Sequence, residues 1–152
     1  MSNPNIATNK KAFHNFHLGQ TWECGLVLTG GEVKSIRAGG VNFTDSFARI
    51  KGEELFLHNL HIVPYAQASY LNEEPLRQRK LLLHKKELLK IIGLAQQKKL
   101  AIVPTRLYFN KRGFVKVEIA LATGKKQYDK REDIKKRDIE RDLKRAVNTR
   151  RR

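Results

Sequence analysis

A mainly β domain with short helices, closing into a barrel of about six strands and followed by a basic C-terminal tail, is the fold that this sequence predicts. Three observations predict it. Short segments alternate apolar and polar residues at period two, the pattern of half-buried strands. Helical spacing of apolar residues is confined in the body to two segments. Charge changes after Gly124: residues 1–124 hold 18 basic and 9 acidic groups, while residues 125–152 hold 13 and 6. The chain is thus read as a body, 1–124, and a tail, 125–152, that is disordered or a nascent helix when free.

The first strand signal runs from Thr21 to Thr29, with Trp22, Cys24, Leu26 and Leu28 at period two. Val27 breaks the alternation, so both faces are expected to be partly covered. Thr29-Gly-Gly-Glu32 has the spacing of a capping box and predicts a helix start. Val33 and Ile36 then face inward and Lys34 and Arg37 outward, and Gly39-Gly40 stops the helix. Ser46 to Lys51 and Leu55 to Val63 flank Gly52-Glu53-Glu54 as a hairpin that ends at Pro64. Tyr65 to Gln78 is irregular, with Pro75 disfavouring helix at Glu74, and reads as a long loop. His84 to Leu100 sets Leu88, Leu89, Ile91, Ile92 and Ala95 against Lys85, Lys86, Lys90 and Lys98, which predicts an amphipathic helix. Ala101 to Asn110 and Phe114 to Ala122 form the clearest hairpin, because Val115, Val117, Ile119 and Leu121 alternate strictly. About six strands with two or three helices fit a small closed barrel of oligonucleotide-binding type, and an open sandwich fits the same pattern.

The 31 Lys and Arg against 15 Asp and Glu give a net charge of +16, which repels itself unless a polyanion is near. Solubility alone is a weak explanation, since acidic residues serve it at least as well. A nucleic acid is the expected partner. The single cysteine, Cys24, excludes an intrachain disulfide and four-cysteine zinc sites, and a free cysteine in a strand is usually a small core residue. No segment approaches the ~18 consecutive apolar residues of a membrane span, and the N-terminus has no apolar run like a signal peptide, so a cytoplasmic protein is expected.

Catalytic and metal chemistry find little support. Of the five histidines, His14, His17, His58, His61 and His84, none sits in a recognisable catalytic setting. His58-x-x-His61 lies in a strand, where residues three apart point to opposite faces and cannot share a metal without local distortion. Phosphate-loop, nucleophile-elbow and dinucleotide motifs are missing from the sequence. No catalytic residue, metal or cofactor is expected. Basic groups do interleave with aromatics at Lys10-Lys11-Ala12-Phe13-His14 and from Arg106 to Phe114, a pairing suited to phosphates and unpaired bases. Strand spacing assigns at least half of Phe13, Phe109 and Phe114 to the core instead.

In the tail, Ile134, Ile139, Leu143 and Val147 form a narrow apolar stripe. Glu132 with Lys136 and Glu140 with Lys144 lie four apart, each pair stabilising helix by ~0.2–0.5 kcal/mol. Such terms rarely hold a free helix in water, so the tail is read as one that orders in a negatively charged channel.

Four motifs, Asn9-Lys-Lys-Ala12, Glu32-Val-Lys-Ser-Ile-Arg-Ala-Gly39, Arg79-Lys-Leu-Leu-Leu-His-Lys-Lys-Glu87 and Gly124-Lys-Lys-Gln-Tyr-Asp-Lys-Arg131, together resemble the small protein B family of bacterial trans-translation factors. They run in family order across nearly the whole chain. The resemblance implies a monomeric, non-enzymatic RNA-binding protein that grips the elbow of the tRNA-like domain of tmRNA. It also implies a tail that enters the ribosomal decoding centre and the empty mRNA channel, against small-subunit rRNA. RNA-contact positions of the family fall on Asn9, Glu23, Leu82 and Lys116, with Asn9 and Lys116 expected as exposed contacts. Lys10, Lys11, Lys34, Arg37, Lys80 and His84 complete the tmRNA surface. Lys125, Lys126, Tyr128, Asp129, Lys130, Arg131, Lys135, Lys136 and Arg137 form the ribosome-contacting tail. Many members have histidine where this chain has Tyr128; both rings stack, so stacking is the implied role. Two other classes, a structural ribosomal protein and an RNA-modifying or RNA-cleaving enzyme, share the basic composition but not the ordered motifs.

Overall fold

The computed structural model describes residues 5–65, 74–125 and 127–150. Its strands are β1 (Asn5–Thr8), β2 (Phe16–Leu26), β3 (Val41–Lys51), β4 (Glu54–Ile62), β5 (Arg79–Leu82), β6 (Ala101–Phe109) and β7 (Val115–Gly124). Its helices are α1 (Lys10–Asn15), α2 (Gly30–Arg37), α3 (Lys85–Lys98) and α4 (Gln127–Arg150). Six strands pair in the order β6-β3-β4-β5-β2-β7, and β7 returns to β6. The ring is therefore closed, a barrel rather than an open sandwich. β1 adds to the outside of β6 through Thr8 opposite Arg106.

Alternation builds the core. Trp22, Cys24 and Leu26 of β2, Leu55 and Leu57 of β4, and Val115, Val117, Ile119 and Leu121 of β7 all point inward. α3 lays Ile91 and Ala95 into the same cluster and ends at Lys99 in a left-handed conformation (φ 51°). The predicted capping box is present: Thr29 Oγ1 accepts from the Glu32 amide at 3.3 Å, and the Thr29 amide donates to Glu32 Oε1 at 3.0 Å. Gly39, at φ 82°, ends α2 as predicted.

Several elements differ from the sequence reading. β2 starts at Phe16 and β3 at Val41, each five residues early. β1, α1 and β5 were not anticipated, because four- and six-residue elements are too short to show a period. Of the long loop, residues 66–73 lie outside the described residues. In β3 and β4 the register passes from Phe43 opposite Leu60 to Phe47 opposite His58, so three residues face Asn59, which adopts φ 63°. This bulge resets the alternation. His58 and His61 both leave the core face, while Leu57, Leu60 and Ile62 fill it. The expected opposite orientation of the two histidines is thereby overturned.

Asn9 also departs from its expectation as an exposed contact. It is buried (4% exposed), its Nδ2 donates to Pro104 O at 2.8 Å, and its Oδ1 caps α1 by accepting from the Ala12 amide at 3.3 Å. Its amide fixes it to Thr105 O at 2.7 Å. Both halves of the carboxamide are thus committed inside the protein.

Glu32 is buried and accepts from Arg79 Nε at 2.6 Å and from Arg77. Arg79, fully buried, donates further to Leu60 O at 2.6 Å and to the carbonyls of Arg77 and Pro75 at 3.1 Å. Burial alone raises the Glu32 pKa, but hydrogen bonds from Arg77, the Thr29 amide and Arg79 outweigh it and hold the carboxyl below its ordinary 4.5.

Arg79→Ala takes one of two cations from the buried Glu32, leaving it only Arg77, and removes the donor to three carbonyls, so it is expected to cost about 3–5 kcal/mol in urea unfolding. A lowered folded pKa gives stability that is present above the ordinary value and lost as pH falls through the folded one. Acid titration of stability should therefore show a loss beginning below pH 4.5 that is smaller in Glu32→Gln. Asn9→Ala, which removes the cap and leaves Pro104 O without its donor, should lower stability by about 1–2 kcal/mol in the same assay.

Candidate nucleic-acid interface

On the outside of β5, β2, β7 and β6, register assembles one face. Gly25 lies opposite Leu82 on one side and Lys116 on the other, and Lys116 lies opposite Tyr108. Two residues along, Glu23 lies opposite Glu118, which lies opposite Arg106. Gly25 permits the crossing of its neighbours over its own backbone. A Cβ there would stand 3.2 Å from Leu82 Cβ and 3.7 Å from Lys116 Nζ. The result is a groove of about 430 Å³ lined by Gly25, Val33, Leu82, Phe114 and Lys116, among others. Leu82 is 49% and Phe114 63% exposed, so an apolar wall, a ring and an ammonium share one concave surface.

Two glutamates side by side would repel, yet each has its own partner. Tyr108 Oη donates to Glu23 Oε2, and Arg106 Nε donates to Glu118 Oε2 at 2.9 Å. Burial and then the bond to Glu23 raise the Tyr108 pKa and keep the phenol protonated as that donor. Glu23 itself remains exposed. Arg37 of α2 borders this face, its guanidinium 5.0 Å from the Phe109 ring centre, and Lys34 Nζ lies 5.5 Å from the Tyr65 ring. On β5, Lys80 pairs with Glu54 at 3.1 Å, and His84 stands exposed at the start of α3.

A second group gathers elsewhere, around α1 and the root of the tail. Lys10 and Lys11 are exposed beyond the buried Asn9. Lys125 is folded back: its amide donates to Asn15 O at 2.9 Å, and its Nζ donates to Phe13 O at 3.2 Å and to Asp133. The bond to Lys125 holds the Asp133 carboxyl below the usual carboxylate range. A recess of about 490 Å³ lined by Asn9, Lys11, Asp45, Phe47 and Lys125, among others, lies beside them. The anticipated tmRNA residues thus form a sheet-face group and an α1 group, linked through Thr105, which accepts from the Asn9 amide at 2.7 Å and donates its Oγ1 proton to Glu118 Oε1 at 2.9 Å.

Along the tail, Lys126 lies outside the described residues, and Tyr128, Asp129 and Lys130 lie in the first turn of α4. Arg131, Lys135, Lys136 and Arg137 are exposed, as are Ile134, Ile139, Leu143 and Val147 at 44–61%.

Gly25, Tyr108 and Phe114 were not assigned to the site from sequence. Phe114 carried a usable signal, its place in the basic and aromatic run. Phe13 and Phe114 are exposed and Phe109 is half-buried, so fewer than half of the three belong to the core, against the reading from strand spacing. Gly25 offered none, because its role depends on two strands remote in sequence. Cys24 is a core residue as expected; burial, chiefly, pushes its thiol up to about 12. Among the described residues no three His, Cys, Asp or Glu side chains are grouped to hold a metal, and no helix is long and apolar enough to cross a membrane.

The description "SmpB protein" belongs to a family whose model matches residues 6–149. Relatives named SsrA-binding protein include that of Thermosipho melanesiensis, 57% identical over 136 residues covering 90% of this chain and 92% of the relative. That of Persephonella marina is 56% identical over 138 residues, covering 91% and 90%. That of Bacillus subtilis is 52% identical over 141 residues, covering 93% and 90%. A solved chain from work described as "tmRNA-SmpB: a journey to the center of the bacterial ribosome" is 51% identical, with a TM-score of 0.67, and the match covers 80% of this chain and 85% of that one. With the family match spanning the barrel and most of the tail, and relatives above half identity over nine-tenths of the chain, this chain belongs to the SmpB protein family.

Proposed function

We propose that this chain is an RNA-binding protein of the cytoplasm that binds the tRNA-like domain of tmRNA and delivers it to stalled ribosomes for trans-translation. It acts by binding and positioning rather than by catalysis. Family membership supports tmRNA and the ribosome as partners. The single structural observation that carries the reading is the convergence of Glu23, Leu82 and Lys116, from β2, β5 and β7, on one outward face.

Each of these residues suits a different part of an RNA surface. Lys116 neutralises phosphate, Leu82 and Phe114 offer faces on which splayed bases pack, and the Glu23 carboxylate accepts from base amino or ribose hydroxyl groups. Arg37 and Lys34 extend the positive field along α2, and Lys80 and His84 extend it along β5 and α3. Asn9 serves by holding α1 so that Lys10 and Lys11 project, a positioning role in place of a direct contact.

The tail acts separately. Its apolar stripe is exposed along α4, so it contributes little to the core, and its 13 basic groups meet a polyanionic channel better than they meet the +9 body. In this reading α4 lies in the decoding centre and the empty mRNA channel, where rRNA neutralises Lys135, Lys136 and Arg137 and Tyr128 stacks on a base.

A paired measurement tests both halves. Lys116→Ala with Leu82→Ala should weaken tmRNA binding in a filter assay by about 1.5–3 kcal/mol for a desolvated charged contact, less if it is wet, with unfolding unchanged. Deletion of residues 129–152 should leave tmRNA affinity largely intact and abolish peptide tagging on ribosomes stalled on mRNA without a stop codon. A truncated protein that tags normally, or that releases tmRNA, would refute the division of labour.

A further inference from the structure

We propose that the outward face of β3, β4 and β5 is a second RNA-binding platform, which takes unpaired nucleotides of the same tmRNA that the Leu82 and Lys116 face holds. This inference rests on the functional reading above. It begins from strand register. Phe47 lies opposite His58, Arg49 opposite Phe56, and Phe56 opposite Lys80 on β5. All five leave the core face, because Ala48, Leu55 and Leu57 between them point inward and are buried. Phe47, Phe56 and His58 are half-exposed, while Arg49 and Lys51 are exposed.

The side chains form a stacking surface edged by cations. The Phe47 and His58 rings lie parallel, 5.1 Å between centroids and 7° between planes. Arg49 sits 5.8 Å from the Phe47 ring centre. The bulge opposite Asn59 makes the pair: Ser46 Oγ donates to Asn59 O at 3.0 Å and Asn59 Nδ2 to Asp45 O at 3.3 Å, which fixes the strands where Phe47 meets His58. Partial burial, then the Arg49 and Lys51 cations, lower the His58 pKa, so the ring is neutral at neutral pH and offers a flat stacking surface.

Charge decides the partner. Arg49, Lys51 and Lys80 stand on this face against Glu54, whose carboxylate already binds Lys80 at 3.1 Å, with Glu53 at the turn. Rings interleaved with cations on an open sheet face are the arrangement that holds single strands, phosphates meeting the cations and bases the rings. A paired stem would hide its base faces. Continuity then names the RNA: Lys80 and Leu82 are both on β5 and both off the core face, so the two platforms meet there without a gap.

The test uses the full chain and full-length tmRNA. Phe47→Ala with His58→Ala should weaken binding at least about fivefold, the low end for losing one stacked base, and separately Arg49→Glu, which keeps both rings, should weaken it through a lost phosphate contact and flatten its salt dependence. Circular dichroism and melting should be unchanged for Arg49→Glu. A photo-crosslinking residue in place of His58 should join to unpaired tmRNA nucleotides, in isolation and on the ribosome. Wild-type affinity in both variants, while Lys116→Ala still loses binding, would overturn this platform and leave the functional reading standing. Crosslinks confined to ribosomal RNA or protein would overturn it equally. A wild-type chain that does not hold tmRNA at all would bring down both.

Discussion

Strand β5 has four residues, yet it closes the barrel between β4 and β2 and carries Lys80 and Leu82 on its outer side. Ladder bonds alone are a weak anchor for so short a strand. The buried Glu32 carboxylate supplies the rest, drawing Arg79 inward and holding Arg77, while Arg79 ties off the carbonyls of Leu60, Arg77 and Pro75. One carboxylate thus joins α2, the approach to β5 and β4. The guanidinium is also the only side chain able to satisfy so many acceptors in one plane, which explains a fully buried arginine where a strand pattern calls for an apolar residue. Because Glu32 belongs to the α2 capping box as well, the orientation of Lys34 and Arg37 depends on the same group.

The outer surface follows from that frame. With β5 fixed, Leu82 can lie across Gly25, and the glycine brings Lys116 to the same spot from the opposite strand. Neighbouring carboxylates are each held locally, Glu118 paired in charge with Arg106 and Glu23 bonded to the neutral Tyr108 phenol, so of the two only Glu23 keeps an uncompensated negative charge among the lysines and arginines around it. In the proposed reading, recognition and attraction are thereby separated. A few paired polar groups and apolar walls give shape, and the surrounding cations give long-range pull.

Body and tail divide along a physical line. The body buries its apolar residues around a closed sheet, whereas α4 keeps its stripe exposed and is tied at its root through Lys125, Asn15, Phe13 and Asp133. Lys125 spends its charge within the protein here, while the downstream cations from Arg131 to Arg137 face outward. In the proposed reading, a body that binds one RNA and a cationic helix that follows it are suited to bridging two polyanions.

Period and punctuation in the sequence determined the barrel strands of β2, β3, β4, β6 and β7, the capped helix α2, the amphipathic α3 and the charge division at Gly124, because each rests on neighbours within a few residues. The resemblance of four ordered motifs likewise pointed to the family, and to Glu23, Leu82 and Lys116, before any geometry. Tertiary structure decided what depends on contacts remote along the chain. Asn9 is a buried cap because Pro104 and Thr105 stand beside it. Arg79 is buried because Glu32 is there to meet it. His58 and His61 share the outer side because a bulge opposite Asn59 shifts the register. Gly25 matters because two strands, from opposite directions, lean over it. Local sequence sets which backbone a segment prefers, but the partner of a polar side chain and the company of a surface residue are set by closure of the sheet, and closure brings together residues that no short-range pattern links.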